Sequence, residues 1–244
     1  MLVAGFPAGA WAANCYVVAP GKGQECVIID PGQDAARGVD DVIRENGLKP
    51  VAVLLTHGHL DHVWSVVPVC GAHDVPAYIH PSDRHLLTDP AAGLSAETTA
   101  MLQVIAESSG GSLEFSEPSD VRELGDGDTE LSIAGLDLVI AHAPGHTRGS
   151  VVFRTPGGGE DPPVLFSGDL LFRGGVGRTD LAGGDHAALL ASLQRVCLPL
   201  DDATVVLSGH GPETTIGHER AANPWLRELA AGSADLPAPP TRGQ

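Results

Sequence analysis

The feature that most constrains this chain is a group of metal-binding residue types at positions 56–62, Thr-His-Gly-His-Leu-Asp-His. It follows an unbroken apolar run at residues 51–55, which predicts a buried strand, and it precedes an apolar, helix-like stretch that begins near Val63. The group is therefore expected on a loop between a strand and a helix. Imidazoles and a carboxylate are the donors that zinc-type or iron-type divalent ions prefer.

The spacing within this group predicts two ions rather than one. His57 and His59 are expected to project together, whereas Asp61 and His62 lie further along the chain, so the four donors do not all face a single ion. The alternative is a polar turn whose histidines only form hydrogen bonds. The cost of burying so many unpaired polar groups disfavours that alternative.

The composition allows one large domain and disfavours some partners. With 244 residues and 43% hydrophobic content the chain can bury a substantial core. A formal charge of −17 leaves no basic face, so neither nucleic acid nor an anionic membrane is an expected partner. The four cysteines show no paired spacing and no basic n-region begins the chain, which favours reduced thiols and a cytoplasmic location. The oligomeric state stays open.

Short apolar runs alternate with helical patterns along the chain. The predicted strands cover residues 15–18, 26–30, 77–80, 131–133, 136–140, 150–153, 164–166 and 204–207, and the predicted helices cover residues 34–45, 63–70, 185–198 and 217–231. A polar insertion at residues 81–118, with a hinge at 110–112, is the predicted substrate-facing wall. Residues 1–231 are predicted to form the domain, and the Pro-rich residues 232–244 a disordered tail.

Three further strand ends each supply one candidate ligand. His146 follows Pro-Gly, Asp169 follows Ser-Gly, and His210 follows another Ser-Gly. A glycine lets the backbone turn tightly and approach the site while the next residue points inward. Together with the group at residues 56–62 these positions give seven donors, which is enough for two metal sites with an open position for water.

These motifs resemble the metallo-β-lactamase superfamily over roughly residues 1–231. The resemblance implies an α+β fold, a four-layer αβ/βα sandwich with metals at one edge. It also implies two divalent ions per chain, with zinc expected and iron or manganese as alternatives. By residue-for-residue match, the first metal is expected on His57, His59 and His146, the second on Asp61, His62 and His210, with Asp169 bridging both.

Within that superfamily, residues 144–150 and 168–180 are similar to glyoxalase II, the hydroxyacylglutathione hydrolases, and in particular to the short bacterial members. The expected reaction is thioester hydrolysis, in which two cations lower the pKa of a shared water and Asp61 orients the resulting hydroxide. The aspartate at 169 disfavours a true β-lactamase, since those enzymes usually lack it. Longer glyoxalase II enzymes bind glutathione with the help of a C-terminal helical domain. Only one predicted helix and a tail follow His210 here.

Several residues outside the ligand set are weaker candidates. Arg178 is the candidate substrate contact, with a surface salt bridge as the alternative, and Asp30 either supports a ligand histidine or caps the turn at residues 31–32. His80 and His142 lie near the site by chain position and are candidates for supporting roles. The histidines at 73, 85, 186 and 218 match no motif and are expected at the surface.

Competing functions stay open at this point. A persulfide dioxygenase resembles glyoxalase II closely but uses one iron, which His57, His146 and Asp169 would hold here. Metal content and oxygen consumption separate the two. A ribonuclease of the same superfamily is disfavoured by the acidic charge, and a purely binding role is hard to reconcile with a complete ligand set.

Overall fold

Two six-stranded sheets form the centre of the fold, in a computed structural model that describes residues 1–108, 114–159 and 161–232. In spatial order, the first sheet contains β1 (Leu2–Ala8), β2 (Ala13–Ala19), β3 (Glu25–Ile29), β4 (Lys49–Leu54), β5 (Ala77–Ile79) and β6 (Val121–Glu123). The second contains β14 (Thr214–Thr215), β13 (Val205–Ser208), β10 (Val164–Gly168), β9 (Val151–Thr155), β8 (Leu136–His142) and β7 (Asp128–Ile133). A separate hairpin consists of β11 (Leu171–Phe172) and β12 (Gly175–Val176).

Both sheets mix parallel and antiparallel pairing. In the first, β1 to β3 pair antiparallel, and β3 to β6 pair parallel. In the second, only the pairing of β10 with β13 is parallel. Parallel neighbours place their carboxyl ends at the same edge, which is why loops that are far apart in sequence meet at one site.

The helices cover the outer faces of the two sheets. They are α1 (Ala35–Asn46), α2 (Leu60–Val63), α3 (Val66–His73), α4 (Pro81–Arg84), α5 (Ala96–Ser108), α6 (His186–Ser192), α7 (Ile216–Ala222) and α8 (Pro224–Ala230), with 3₁₀ turns at His85–Leu87 and Pro90–Gly93 and a π-helical turn at Leu193–Cys197. The order helix, sheet, sheet, helix is the four-layer arrangement expected from the sequence.

Alternating side chains in the central strands build separate cores on the two faces of each sheet. In β3, Cys26 and Ile28 point to the core beneath α1 and α3, whereas Val27 and Ile29 point to the core between the sheets. A third core lies between the second sheet and helices α6 to α8. Strands buried on both faces explain why their sequences are continuous apolar runs rather than alternating ones.

Two predicted helices are interrupted in the structure. The predicted helix at residues 217–231 is two helices, α7 and α8, because Pro224 has no N–H to donate and Asn223 begins a new helix by accepting from the backbone N–H of Trp225 and Leu226. The stretch predicted as one helix from Val63 is split between α2 and α3, with Ser65 at the break.

The remaining predictions about organisation have different outcomes. All four cysteines are free and buried. In the described part of the chain, no helix is long and apolar enough to cross a membrane. The predicted hinge at residues 110–112 and residues 233–244 of the predicted tail lie outside the described residues.

The core between the sheets gives a stability prediction. Phe166 is 1% exposed and packs edge-to-face on Tyr16, with ring centroids 5.5 Å apart. Phe166→Ala is expected to lower the free energy of unfolding by about 3–5 kcal/mol, because it leaves a cavity between two sheets that cannot collapse. Urea denaturation measures this. Val104→Ala, at a residue 64% exposed, is the control and is expected to change it by less than about 0.5 kcal/mol; equal effects would contradict this account of the core.

Candidate metal centre

Four strand-end loops meet where the two sheets share an edge. The backbone N–H of Val151 in β9 donates to the carbonyl of Thr56 after β4 (2.8 Å), which joins the two sheets. The N–H of Gly209 donates to the carbonyl of Gly168 (2.8 Å), which joins the loops after β10 and β13. The sequence folds this way because each loop follows a buried strand and turns at a glycine or a polar residue. These loops carry all seven predicted ligands.

The first group of donors contains His57, His59 and His146, all buried. His59 Nδ1 lies 2.8 Å from His146 Nε2. The centroid of the His57 ring lies 4.9 Å from that of the His59 ring and 4.8 Å from that of the His146 ring. The donor atoms of the three residues lie within 4.8 Å of one another. The structure thus brings together the three histidines predicted for the first metal.

The second group contains Asp61, His62 and His210. His210 Nε2 lies 3.0 Å from Asp61 Oδ2 and 3.3 Å from His62 Nε2. Asp169 stands between the two groups: one carboxylate oxygen is 3.4 Å from His62 Nε2, and the other is 3.5 Å from His146 Nε2. The carboxylate therefore lies beside residues of both groups, and its role as a bridge between two ions stays a prediction.

Close packing around Asp169 depends on Gly209. A Cβ at Gly209 would lie 2.2 Å from the Asp169 carboxylate and 2.7 Å from the His62 ring, which no real side chain tolerates. Asp169 itself follows Gly168, whose φ of 48° is a left-handed conformation that glycine adopts without strain. The glycines before Asp169 and His210 are therefore structural requirements of the site.

The electrostatics of the first group favour neutral imidazoles. Burial lowers the pKa of His57 well below its usual value, and the neighbouring His62 lowers it further. Burial together with His146 lowers the pKa of His59 to about 3. Metal ligation requires deprotonated donors, and these two histidines are in that form at neutral pH.

The second group concentrates negative charge. Burial would raise the pKa of Asp61 and Asp169, but His62 and His210 outweigh it, so the pKa of Asp61 falls to about 2 and that of Asp169 falls well below its usual range. Burial opposes a charge on His62, yet Asp61 and Asp169 raise its pKa well above the usual value. Two ionised carboxylates in one buried site favour positive charge there.

Hydrogen bonds behind the ligands orient three of the histidines. His62 Nδ1 lies 3.0 Å from Asp30 Oδ2, His57 Nδ1 lies 3.0 Å from Thr56 Oγ1, and His146 Nδ1 lies 2.8 Å from the carbonyl of Arg178. Since Thr56 Oγ1 donates its proton to Asp30 (2.5 Å), it accepts from His57. In each ring Nδ1 is thus the donor to a fixed partner, and Nε2 is the nitrogen that faces the centre.

The donor set fits divalent cations. His57 Nε2 and Asp169 Oδ1 are buried and have no hydrogen-bond partner among the described residues. Unsatisfied buried polar atoms are costly, and a bound cation would satisfy them. Two imidazole nitrogens on one tetrahedral zinc, each about 2.0–2.1 Å from it, lie about 3.4 Å apart. The nitrogen pairs at 2.8 and 3.3 Å are near that separation.

A cavity of about 430 Å³ opens onto the donors Asp61, Asp169 and His210. Its other walls are mostly apolar. They include Ala10, Trp11, Leu94, Phe172 and Leu181, with Ser95, Thr98 and Arg178 as the polar members outside the ligand set. Four residues of the predicted insertion therefore line the space beside the donors, namely Gly93, Leu94, Ser95 and Thr98. Trp11 was not singled out from the sequence, and Phe172, which lies in the stretch at 168–180, was given no role there.

The weaker candidates have distinct positions. Arg178 lines the cavity and forms a bidentate ion pair with Asp180, with N–O distances of 2.6 and 2.8 Å. His80 and His142 stack on each other at 4.1 Å, and both lie near Asp126 rather than among the ligands. His142 also bonds the carbonyl of Arg148 (2.9 Å), two residues after His146.

The other predicted surface histidines lie outside the two donor groups. His85 and His218 are exposed, whereas His73 and His186 are partly buried. Asp30, for which the sequence left two roles open, accepts from His62 and from both the N–H and the hydroxyl of Thr56. Both carboxylate oxygens are used in this way, so Asp30 holds ligands in place rather than acting as one.

Sequence reasoning missed Asp83. This carboxylate is 1% exposed and accepts hydrogen bonds from the backbone N–H of Gly58, between two ligand histidines, and of Gly149, in the loop of the third. Its signal in the sequence is weak, since an aspartate in the first turn of a helix usually favours the helix dipole or a cap.

The separation into two donor groups gives a prediction. His59→Ala and His62→Ala are each expected to leave one cobalt ion per chain bound, in different surroundings, because each removes a donor from a different group. Visible absorption spectra of the cobalt-substituted variants measure this. Hydrolytic activity should fall by orders of magnitude in both, since losing a ligand alters the position and acidity of bound water. Identical residual spectra would show a single site.

Comparison with known proteins agrees with this geometry. The chain matches the metallo-beta-lactamase superfamily model over residues 8–210. It is 38% identical over 220 residues to the probable metallo-hydrolase YqgX of Bacillus subtilis and 32% identical over 226 residues to the hydroxyacylglutathione hydrolase GloC of Haemophilus influenzae, and each match covers 90% of this chain and 95% of the relative.

Two solved structures are similar along nearly their whole length. BLEG-1, a B3 metallo-β-lactamase, is 37% identical with a TM-score of 0.76, and the match covers 92% of this chain and 99% of that one. TTHA1623, in a di-iron-bound form, is 36% identical with a TM-score of 0.69, and the match covers 93% and 100% of the two chains. The fold and the family predicted from the sequence are confirmed: this chain belongs to the metallo-β-lactamase superfamily.

Proposed function

We propose that this protein is a binuclear metal-dependent hydrolase that cleaves thioesters of the S-2-hydroxyacyl-thiol type. One observation supports this most directly: two groups of buried or half-buried donors meet at Asp169 and open onto a cavity large enough for a small substrate. The likeness to YqgX and GloC supports hydrolysis, and the name of GloC supports a hydroxyacyl thioester as the substrate.

The proposed ligands are those predicted from the sequence. His57, His59 and His146 would hold one ion and Asp61, His62 and His210 the other, with Asp169 contacting both. When bound, such a pair of ions supplies an acidified water as the nucleophile and a Lewis acid for the carbonyl oxygen. Zinc is the expected metal, and the di-iron form of TTHA1623 supports iron as the alternative.

The chain's own residues have three tasks in this reaction. Asp61, whose side chain is 22% exposed at the cavity and whose pKa is about 2, stays ionised and accepts a hydrogen bond from the attacking water. Trp11 and Phe172 form apolar walls that exclude bulk water from the substrate. The leaving thiolate needs little proton donation, because an ordinary thiol has a pKa of about 8.5.

The cavity also bears on the thiol carrier. GloC is matched over 95% of its length by this chain, so a short C-terminal region does not by itself exclude glutathione thioesters. The lining does argue against a strong preference, because glutathione carries two carboxylates whereas Arg178 is the single arginine or lysine among the described lining residues, and it shares its guanidinium with Asp180. We therefore propose a permissive site with weak glutathione preference.

Two other reactions are alternatives to thioester hydrolysis. A persulfide dioxygenase would need only one iron on His57, His146 and Asp169, which leaves the complete second group of Asp61, His62 and His210 without a role. β-Lactam hydrolysis, which Asp169 was expected to disfavour, is supported by the likeness to BLEG-1. Neither explains the resemblance to GloC.

Steady-state kinetics on protein of known metal content tests the proposal. S-lactoylglutathione and the lactoyl thioester of the neutral thiol N-acetylcysteamine are expected to be hydrolysed with similar kcat/KM, and a β-lactam and a persulfide far more slowly. Preference for glutathione above about a hundredfold, roughly 2.7 kcal/mol in the transition state, would contradict the permissive site. Oxygen consumption with a persulfide, and no thioester hydrolysis, would contradict the proposed reaction.

Arg178 gives a separate prediction. Arg178→Ala is expected to raise KM about tenfold while lowering kcat less, because the guanidinium would contact substrate equally in the ground and transition states, and a charge-assisted hydrogen bond contributes about 1.5 kcal/mol. Arg44→Ala is the matched control, since Arg44 also forms an ion pair with an aspartate but lies on α1, outside the cavity lining. A loss in kcat alone would place Arg178 in the chemical step instead.

A further inference from the structure

We infer that Asp83 is the positioning residue of the first metal site, holding the loops of His57, His59 and His146 in one arrangement. The inference rests on the metal centre of the proposed function and adds to it a residue that contacts no metal. Asp83 lies in α4, which belongs to neither sheet, and its side chain is buried between the loops at residues 56–59 and 146–150.

The hydrogen bonds of Asp83 reach both of those loops, with one donor on the first loop and two on the second. Asp83 Oδ2 accepts from the backbone N–H of Gly58 (2.9 Å), the residue between His57 and His59. The same oxygen accepts from Thr147 Oγ1 (2.6 Å), and Oδ1 accepts from the N–H of Gly149 (2.8 Å). Each of these three donors is therefore on a loop that carries a residue of the first group.

The single hydroxyl proton of Thr147 fixes the direction of the hydrogen bonds that join Thr147 to Asp83 and to Ser150. Thr147 Oγ1 has one proton, which it donates to Asp83, so its contact with Ser150 Oγ (2.7 Å) is one in which the serine donates. Ser150 Oγ in turn accepts from the backbone N–H of Thr147 (3.1 Å). The loop after His146 is thus closed on itself and attached to Asp83 through the Thr147 hydroxyl, whose one proton is used, and through the N–H of Gly149.

The surrounding glycines fit the carboxylate closely. A Cβ on Gly149 would lie 2.6 Å from Asp83 Cγ, and a Cβ on Gly58 would lie 2.9 Å from the Asp83 carbonyl oxygen. Both loops approach α4 closely because these residues have no side chain. A buried carboxylate that accepts three hydrogen bonds between two rigid loops fixes their separation, and with it the 2.8 Å between His59 Nδ1 and His146 Nε2.

The second group depends on a different carboxylate. Asp30 holds His62 directly, whereas in the described part of the chain no hydrogen bond joins Asp83 to Asp61, His62 or His210. Removing the Asp83 charge should therefore weaken one site and not the other. General destabilisation of the fold would weaken both.

Cobalt binding to metal-free protein tests this. In a His62→Ala background, which keeps only the first group intact, adding Asp83→Asn is expected to weaken cobalt binding by about 10–100-fold, as for other residues that orient ligands. In a His59→Ala background, which keeps only the second group intact, the same substitution is expected to leave cobalt affinity unchanged. The asparagine turns an NH₂ group toward a backbone or hydroxyl donor, so at least one loop loses its bond.

Glu219→Gln is the matched control. Glu219 is fully buried and accepts from Thr214, Gly174 and Asn223, so it resembles Asp83 in burial and bonding but contacts no ligand loop. It is expected to lower the unfolding midpoint yet leave cobalt affinity in the His62→Ala background unchanged. Thr147→Val, which removes one of the three bonds, provides a milder variant and is expected to weaken the first site by a smaller factor.

Three results would overturn the inference. Unchanged cobalt affinity of the first site in folded Asp83→Asn or Thr147→Val protein would show that Asp83 does not position the ligands. Equal weakening of the first and second sites would show only a general structural role. Failure of the unsubstituted protein to bind cobalt at all would overturn the metal centre itself, and is distinguished from the other two by measuring that protein first.

Discussion

The carboxylate of Asp169 is the group on which the rest of the site depends. It lies within 3.4–3.8 Å of imidazole nitrogens from His62, His146 and His210, which come from both sheets. It can stand there because Gly209 leaves room for it and because β10 and β13 run parallel, so that their ends meet. The four-layer fold is therefore the means by which six other donors that are scattered along the chain come to lie around one carboxylate.

The orientation of these donors comes from a layer of ordinary hydrogen bonds behind them. Asp30 and Thr56 direct His57 and His62, and the carbonyl of Arg178 directs His146. Buried carboxylates that accept several donors are rigid, because moving them would leave polar atoms unpaired in the interior. A preformed, rigid set of ligands is what a hydrolase needs to hold two cations and a water at fixed separations.

Much of this could be predicted from the sequence because the signals are local. The buried strands are continuous apolar runs, and each ligand directly follows one, so strand ends and ligands were found together. The break at Asn223 was also local, since a proline preceded by a capping residue marks a helix start, but amphipathic periodicity continued across it and suggested one helix. The family resemblance supplied the layer order, which the pattern of elements alone did not.

What could not be predicted depends on contacts between distant segments. Asp83 and Gly149 are 66 residues apart, and only tertiary packing brings that carboxylate to that N–H. The role of Arg178 in orienting His146 belongs to its backbone carbonyl, which has no residue-specific signal, while its side chain is paired with Asp180. Sequence patterns identify ligands by residue type, but the groups that orient those ligands can be backbone atoms of any residue.

Anomalous diffraction from crystals grown with zinc tests the two-ion centre most directly, because it locates each ion among the donors. The account predicts two peaks, one beside His57, His59 and His146 and the other beside Asp61, His62 and His210, with the Asp169 carboxylate contacting both. A single peak coordinated by His57, His146 and Asp169 in fully loaded protein would contradict it, and would favour the single-iron alternative.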